Sequence, residues 1–118
     1  QLKENVIGLV HCSGGGQTKC LRFGHNVHHL KDNLFPVPPL FEEIQKVSGT
    51  SDEEMHQVYN MGHRFEIYCE AEYASQVIDL AGEFDIEGRV VGRTEESQKS
   101  DGSNHLTILK NDSTLNYG

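Results

Sequence analysis

Val6-Ile7-Gly8-Leu9-Val10-His11-Cys12 runs directly into Ser13-Gly14-Gly15-Gly16. The first part is a short apolar run rich in β-branched residues, which reads as a buried strand. The glycines that follow suit neither a strand nor a helix interior, so the chain turns there. Gln17 to Phe23 is compatible with a short helix, and Gly24 reads as its C-cap. The opening unit is therefore strand, glycine-rich turn, helix.

Working outward, Val27 to Leu34 reads as a second strand, with His28 and His29 on opposite faces. Pro36, Pro38 and Pro39 interrupt it, and Pro39 opens a helix that runs to Val47 and ends at Ser48-Gly49. Ser51-Asp52-Glu53-Glu54 is a capping box for the next helix, which continues through Met55, Val58 and Tyr59. Asn60-Met61-Gly62 is a turn. Arg64 to Cys69 alternates as a half-buried strand. Glu72 to Phe84 is an amphipathic helix with Tyr73, Val77, Ile78, Leu80, Ala81 and Phe84 on its inner face. Gly88 to Arg93 and His105 to Lys110 are the last strands, separated by a polar loop over 95–103. Residues 111–118 read as a flexible tail. The order β-α-β-α-α-β-α-β-β predicts an α+β fold, an α/β sandwich in which helices cover a mixed β-sheet.

The 118 residues suit one domain, or part of a larger protein, with a radius of gyration of about 13 Å. Ten Lys and Arg against 18 Asp and Glu give a net charge of −8. Such a body is a poor partner for nucleic acid or an anionic membrane, so a phosphate site would have to be local. No apolar run approaches the length of a membrane span. Three cysteines without a signal peptide read as reduced thiols in a cytoplasmic protein. The chain starts at Gln1 rather than Met, close to its first strand, as expected of a piece of a longer protein.

Three consecutive glycines can turn their N–H groups onto an anion, the following helix adds positive charge, and Lys19 or Arg22 can supply a counter-charge. The alternative is a tight connection without a ligand; the spacing is neither a Walker A nor a dinucleotide pattern. His11 ends the strand beside that turn, placed either to bind phosphate and transfer a proton or simply to bond a backbone carbonyl. Asn60 and Gly62 either form only a turn or border a ligand cleft. Arg64 is either a phosphate ligand or an exposed strand residue. His25, His28 and His29 with Cys12 and Cys20 match no zinc spacing, read as surface histidines, and give no metal site.

Taken together, these segments resemble the phosphoribosylformylglycinamidine cyclo-ligases (aminoimidazole ribonucleotide synthetases). His11-Cys12-Ser13-Gly14-Gly15-Gly16 is similar to that family's His-x-[Ser/Thr]-Gly-Gly-Gly segment. Glu54-Met55 through Tyr59-Asn60-Met61-Gly62 is similar to its Glu-Met-…-[Phe/Tyr]-Asn-x-Gly segment, and Gly88 to Arg93 to its closing strand. Lys19-Cys20-Leu21-Arg22 departs from the Asn-Ile-Pro-Arg found in many members. The residues after Gly62, His63-Arg64, depart from the usual small or apolar ones.

The resemblance is to the C-terminal domain, here 1–110, with the N-terminal ATP-binding domain absent. It implies a cytoplasmic ligase of purine biosynthesis that uses ATP and Mg to convert formylglycinamidine ribonucleotide to aminoimidazole ribonucleotide. ATP activates the formyl oxygen, and an internal nitrogen then displaces phosphate to close the ring. It further implies a homodimeric parent, partnership with its own N-terminal domain, and no activity in the isolated piece. His11 would be catalytic. Ser13, Gly14, Gly15, Gly16 and Arg22 would bind a phosphate of substrate or nucleotide, and Asn60 and Gly62 would line the cleft. The alternatives are a sibling ATP-dependent enzyme (formylglycinamidine synthetase, selenophosphate synthetase or hydrogenase maturation factor) or a non-catalytic phosphate-binding module.

Overall fold

A computed structural model describes residues 6–12 and 15–118. The elements in chain order are β1 (Val6–His11), a 3-10 helix (Gly16–Arg22), β2 (Val27–Lys31), α1 (Pro39–Ser48) and α2 (Asp52–Val58). They continue with β3 (Phe65–Cys69), α3 (Ala74–Glu83), β4 (Gly92–Glu96), β5 (His105–Leu109) and β6 (Thr114–Tyr117). The expected α+β order is present, with one strand more than expected. No helix among the described residues is long and apolar enough to cross a membrane.

The strands form two sheets. β1 and β3 pair antiparallel as a ribbon, with His11 opposite Phe65 and Leu9 opposite Ile67. The other sheet has the order β4-β2-β5-β6, in which β2 and β5 run parallel and the outer pairs antiparallel. A Cβ on Gly92 would lie 2.0 Å from the Leu30 carbonyl oxygen, so only glycine lets β4 start this close to β2.

The core joins the 3-10 helix to the second sheet: Cys20 packs with Leu106 and Ile108 of β5 and Leu115 and Tyr117 of β6, and Tyr68 of β3 lies against them. α2 is fastened to this sheet by two polar ties. Tyr117 donates to the Glu53 carbonyl at 2.5 Å, and Lys110 bonds Asp52 at 3.0 Å in the first turn of α2. Ser51 caps α2 as expected, its hydroxyl accepting from the Glu54 N–H at 3.2 Å. Pro39 starts α1, and Gly49 ends it in the left-handed conformation.

Several expectations are corrected. The segment after the glycines is a 3-10 helix capped by Phe23, not Gly24. β4 begins at Gly92 and takes in Glu95 and Glu96, which were expected in the loop. The supposed tail holds β6: it pairs with β5 and buries Leu115 and Tyr117, whose alternation with Thr114 and Asn116 supplies the inward face. α3 forms with Val77, Ile78 and Ala81 half-buried and Ile78 beside Gly88, but Leu80 and Phe84, expected on the inner face, are exposed. On β3 the faces are reversed relative to polarity: Phe65 and Ile67 are exposed and Glu66 is buried. His29 is buried, not on the surface. The radius of gyration is 14.7 Å, somewhat above expectation, in keeping with the uncovered apolar faces.

Candidate functional site

The site is built around the end of β1. Cys12 continues the ribbon, its N–H donating to the Arg64 carbonyl at 2.8 Å, and its side chain is buried. Strand alternation then turns His11 to the exposed face, where its ring lies 6.1 Å from that of Phe65. Ser13 and Gly14 lie outside the described residues. Gly15 has φ 104° and Gly16 φ 51°, values that L side chains rarely adopt. The Gly15 carbonyl accepts from the Thr18 N–H at 3.0 Å and the Thr18 hydroxyl at 2.7 Å, which fixes the start of the 3-10 helix.

Gly16 brings the second motif to the first. A Cβ there would lie 2.3 Å from the Tyr59 carbonyl oxygen, so the two backbones touch. Next to it, the Gln17 side-chain amide donates to the Asn60 carbonyl at 2.8 Å across 43 residues of chain. Asn60 Oδ1 accepts from the Gly62 N–H at 2.8 Å, closing an Asx turn in which Met61 and Gly62 both have positive φ. The Asn60 oxygen therefore serves the turn, and Gly62 shapes it.

Of the two candidate cations, Lys19 is the one beside the glycines. A Cβ on Gly15 would meet its Cα and Cδ at 3.8 Å. Arg22 is exposed at the far end of the 3-10 helix. Arg64 is exposed on the ribbon.

Beneath these segments lies a polar cluster that the sequence reading missed. Glu66 is buried on the inner face of β3. Its Oε2 lies 2.5 Å from the Lys31 ammonium and 2.8 Å from His63 Nε2, and its Oε1 accepts from the Tyr68 hydroxyl. Burial pushes the Glu66 carboxyl up, but the bonds from His63, Lys31 and Tyr68 outweigh it and bring it down to about 2. Burial, reinforced by the Glu66 charge, raises the Tyr68 phenol and pushes the Cys12 thiol up to about 12. Burial pushes Cys20 up to about 11 and His29 down to about 4. His29 stands edge-on to Tyr68 at 5.8 Å. The signal available in the sequence was a single carboxylate, Glu66, within a strand that alternates polar and apolar residues. It was not decisive without knowing that Lys31 and His63 converge on it.

Among the described residues, Cys12, His63 and Glu66 form the group that could hold a metal, their donor atoms lying within 4.8 Å of one another. The Lys31 ammonium already stands in the cation's place beside Glu66, and the Cys12 thiol is held protonated. A thiol and an imidazole also suit a softer ion than magnesium, which takes oxygen donors. His28, on the opposite face of β2, bonds Glu95 and Thr107 at 2.9 Å and stacks on His105 at 3.9 Å; neither histidine approaches the glycine-rich segment through these contacts.

No protein-family model matches the chain. Among curated proteins, a Methanococcus vannielii protein named phosphoribosylformylglycinamidine cyclo-ligase is 37% identical over 100 residues, covering 85% of this chain and 29% of that protein. One of the same name from Methanocaldococcus jannaschii is 37% identical over 98 residues, covering 83% of the chain and 28% of the protein. Another from Burkholderia cenocepacia is 41% identical over 64 residues, covering 51% of the chain and 18% of the protein. The chain thus spans under a third of the length of the relatives it matches.

Proposed function

The chain belongs to the phosphoribosylformylglycinamidine cyclo-ligase family, and we propose that it is part of an ATP-dependent cyclo-ligase of purine biosynthesis. The reaction would close the imidazole ring of aminoimidazole ribonucleotide from formylglycinamidine ribonucleotide. The observation that carries this reading is the meeting of the two motif segments, joined by the Gln17–Asn60 bond. Segments 43 residues apart that match one family's motifs form one wall of a site.

In this reading Gly15 and Gly16, with Ser13 and Gly14, hold a phosphate of the substrate or nucleotide through backbone N–H groups. The half-buried Gly15, at positive φ, presents backbone without a side chain to the ligand, while Gly16 packs on the Tyr59 backbone and sets the position of the segment. Lys19, whose stem lies along Gly15, supplies the nearer positive charge, in place of the expected Arg22. His11, at the end of β1, holds or moves a proton at a ring nitrogen during ring closure. The Asn60–Gly62 turn closes one side of the cleft and limits water there. ATP supplies the activating phosphoryl group. The donor set of Cys12, His63 and Glu66 does not fit magnesium, so the reading places that ion on parts of the protein beyond this chain. Those parts, including an N-terminal ATP-binding domain, complete a homodimeric cytoplasmic enzyme, and this chain alone does not turn over.

The test is to incubate the full-length protein with formylglycinamidine ribonucleotide and ATP–magnesium and follow aminoimidazole formation by diazo coupling. His11→Ala is expected to lower kcat by about 100-fold. Absence of product, with authentic cyclo-ligase active in parallel, would remove the reading. An unchanged kcat in His11→Ala would remove the role of His11 alone.

A further inference from the structure

We propose that Lys31 and Glu66 are positioning residues, whose buried ion pair sets the glycine-rich segment at a fixed distance from the Asn60 turn. The functional consequence rests on the phosphate-site reading above; the mechanical claim does not. Lys31 ends β2 in the four-stranded sheet, and Glu66 lies in the two-stranded ribbon. Both side chains are about 95% shielded from solvent. The ammonium has three acceptors for its three protons: Glu66 Oε2 at 2.5 Å, Gln17 Oε1 at 2.8 Å and the Gln17 carbonyl at 3.0 Å. Gln17 then spends its side-chain N–H on the Asn60 carbonyl. One ammonium therefore fixes both the backbone and the side chain of the residue directly after Gly16. That residue carries the constraint on to the turn.

The cluster is costly to build. Taking both charges out of water offsets most of their attraction, and a hydrophobic pair of similar volume would be equally stable or more so. A gain in stability is therefore not what the pair provides. What an apolar pair cannot provide is direction: three donor bonds aimed at two atoms of Gln17 and one of Glu66. Tyr68 donates to the other carboxylate oxygen and His63 Nε2 lies 2.8 Å from the one that Lys31 bonds, so the anchor is itself enclosed. The arrangement has the form of a supporting layer beneath a ligand-binding backbone.

The test uses the double variant Lys31→Met/Glu66→Gln in this chain. It leaves no unpaired buried charge and keeps an acceptor for Tyr68, but cuts the tie to Gln17. Three quantities are read: the urea midpoint, amide hydrogen exchange over 15–18 and 60–62, and inorganic phosphate affinity from amide shifts. The expected result is a folded chain whose midpoint falls only by the loss of the donor to the buried Gln17 Oε1, exchange at these amides faster by at least tenfold, and phosphate affinity at least tenfold lower. Unchanged exchange in a folded double variant would overturn the proposal. If the parent chain binds no phosphate, the phosphate reading fails, and exchange still decides the positioning claim. If the double variant does not fold, Gln17→Leu removes the side-chain part of the tie, including the bond to the Asn60 carbonyl, and leaves the ion pair and the bond to the backbone carbonyl intact. It is expected to speed exchange over 60–62 tenfold, and no change there would equally overturn the proposal.

Discussion

Gly16→Ala tests the close approach on which the site is built. Two costs are legible at this position. Gly16 has φ 51°, and a left-handed residue with a Cβ costs about 1–2 kcal/mol. The added Cβ would also stand 2.3 Å from the Tyr59 carbonyl oxygen and 2.8 Å from its nitrogen. Those are backbone atoms and cannot swing aside. Tyr59 is held in turn by its N–H bond to the Met55 carbonyl at 2.8 Å, which closes α2. Forcing extra volume into such a contact costs roughly 1–3 kcal/mol more, for a total of about 2–5 kcal/mol. Gly49→Ala is the matched control: φ is 70° and nothing lies within 4 Å of the new Cβ, so it carries the first cost alone. Urea unfolding followed by circular dichroism measures both. With an m-value of about 1 kcal/mol/M, the two variants separate by roughly 1–3 M in midpoint. A Gly16→Ala variant no less stable than Gly49→Ala would refute the contact between the glycine-rich segment and Tyr59.

Three further outcomes are expected. Ser51→Ala removes the bond to the Glu54 N–H and costs about 1 kcal/mol in the same unfolding experiment; no loss would show that the cap carries no weight. Glu66 is depressed from 4.5 to about 2, so its contribution is fully present above pH 4.5 and is lost as pH falls toward 2. The loss is about 3 kcal/mol and should be absent in the Lys31→Met/Glu66→Gln variant; equal acid sensitivity in both would contradict it. Cys12 and Cys20, buried and pushed up to about 12 and about 11, should resist a thiol reagent at pH 8 until urea unfolds the chain, and rapid labelling of either in the native protein would place it elsewhere.

Features set by local chemistry were legible in the sequence. The Ser51 cap, the Pro39 helix start and the turn at Asn60 need only neighbouring residues, and all three are present. The strand before the glycines forms as well, but it is not the buried strand its apolar run predicts: paired with β3 in a two-stranded ribbon, it buries Val10 and leaves Ile7 and Leu9 exposed. Features decided by distant partners were not. Glu66 is inward because Lys31 comes from β2, 35 residues away in the chain, to meet it beside the neighbouring His63. β6 exists because β5 offers it an edge and the core accepts Leu115 and Tyr117. The inward face expected for α3 rested on its periodicity, which shows that a helix has an apolar side but not how much of it is covered. For the site, the motif residues drew attention to both segments. The Lys31–Gln17–Asn60 connection joining them left no mark on spacing or composition.

The central claim is that this chain is one wall of a cyclo-ligase site. Isothermal titration tests it most directly, with formylglycinamidine ribonucleotide and ATP–magnesium added separately to the full-length protein and to this chain. The account predicts that the full-length protein binds both, while this chain binds neither or only the ribonucleotide, weakly. A full-length protein that binds ATP but ignores the ribonucleotide would contradict it.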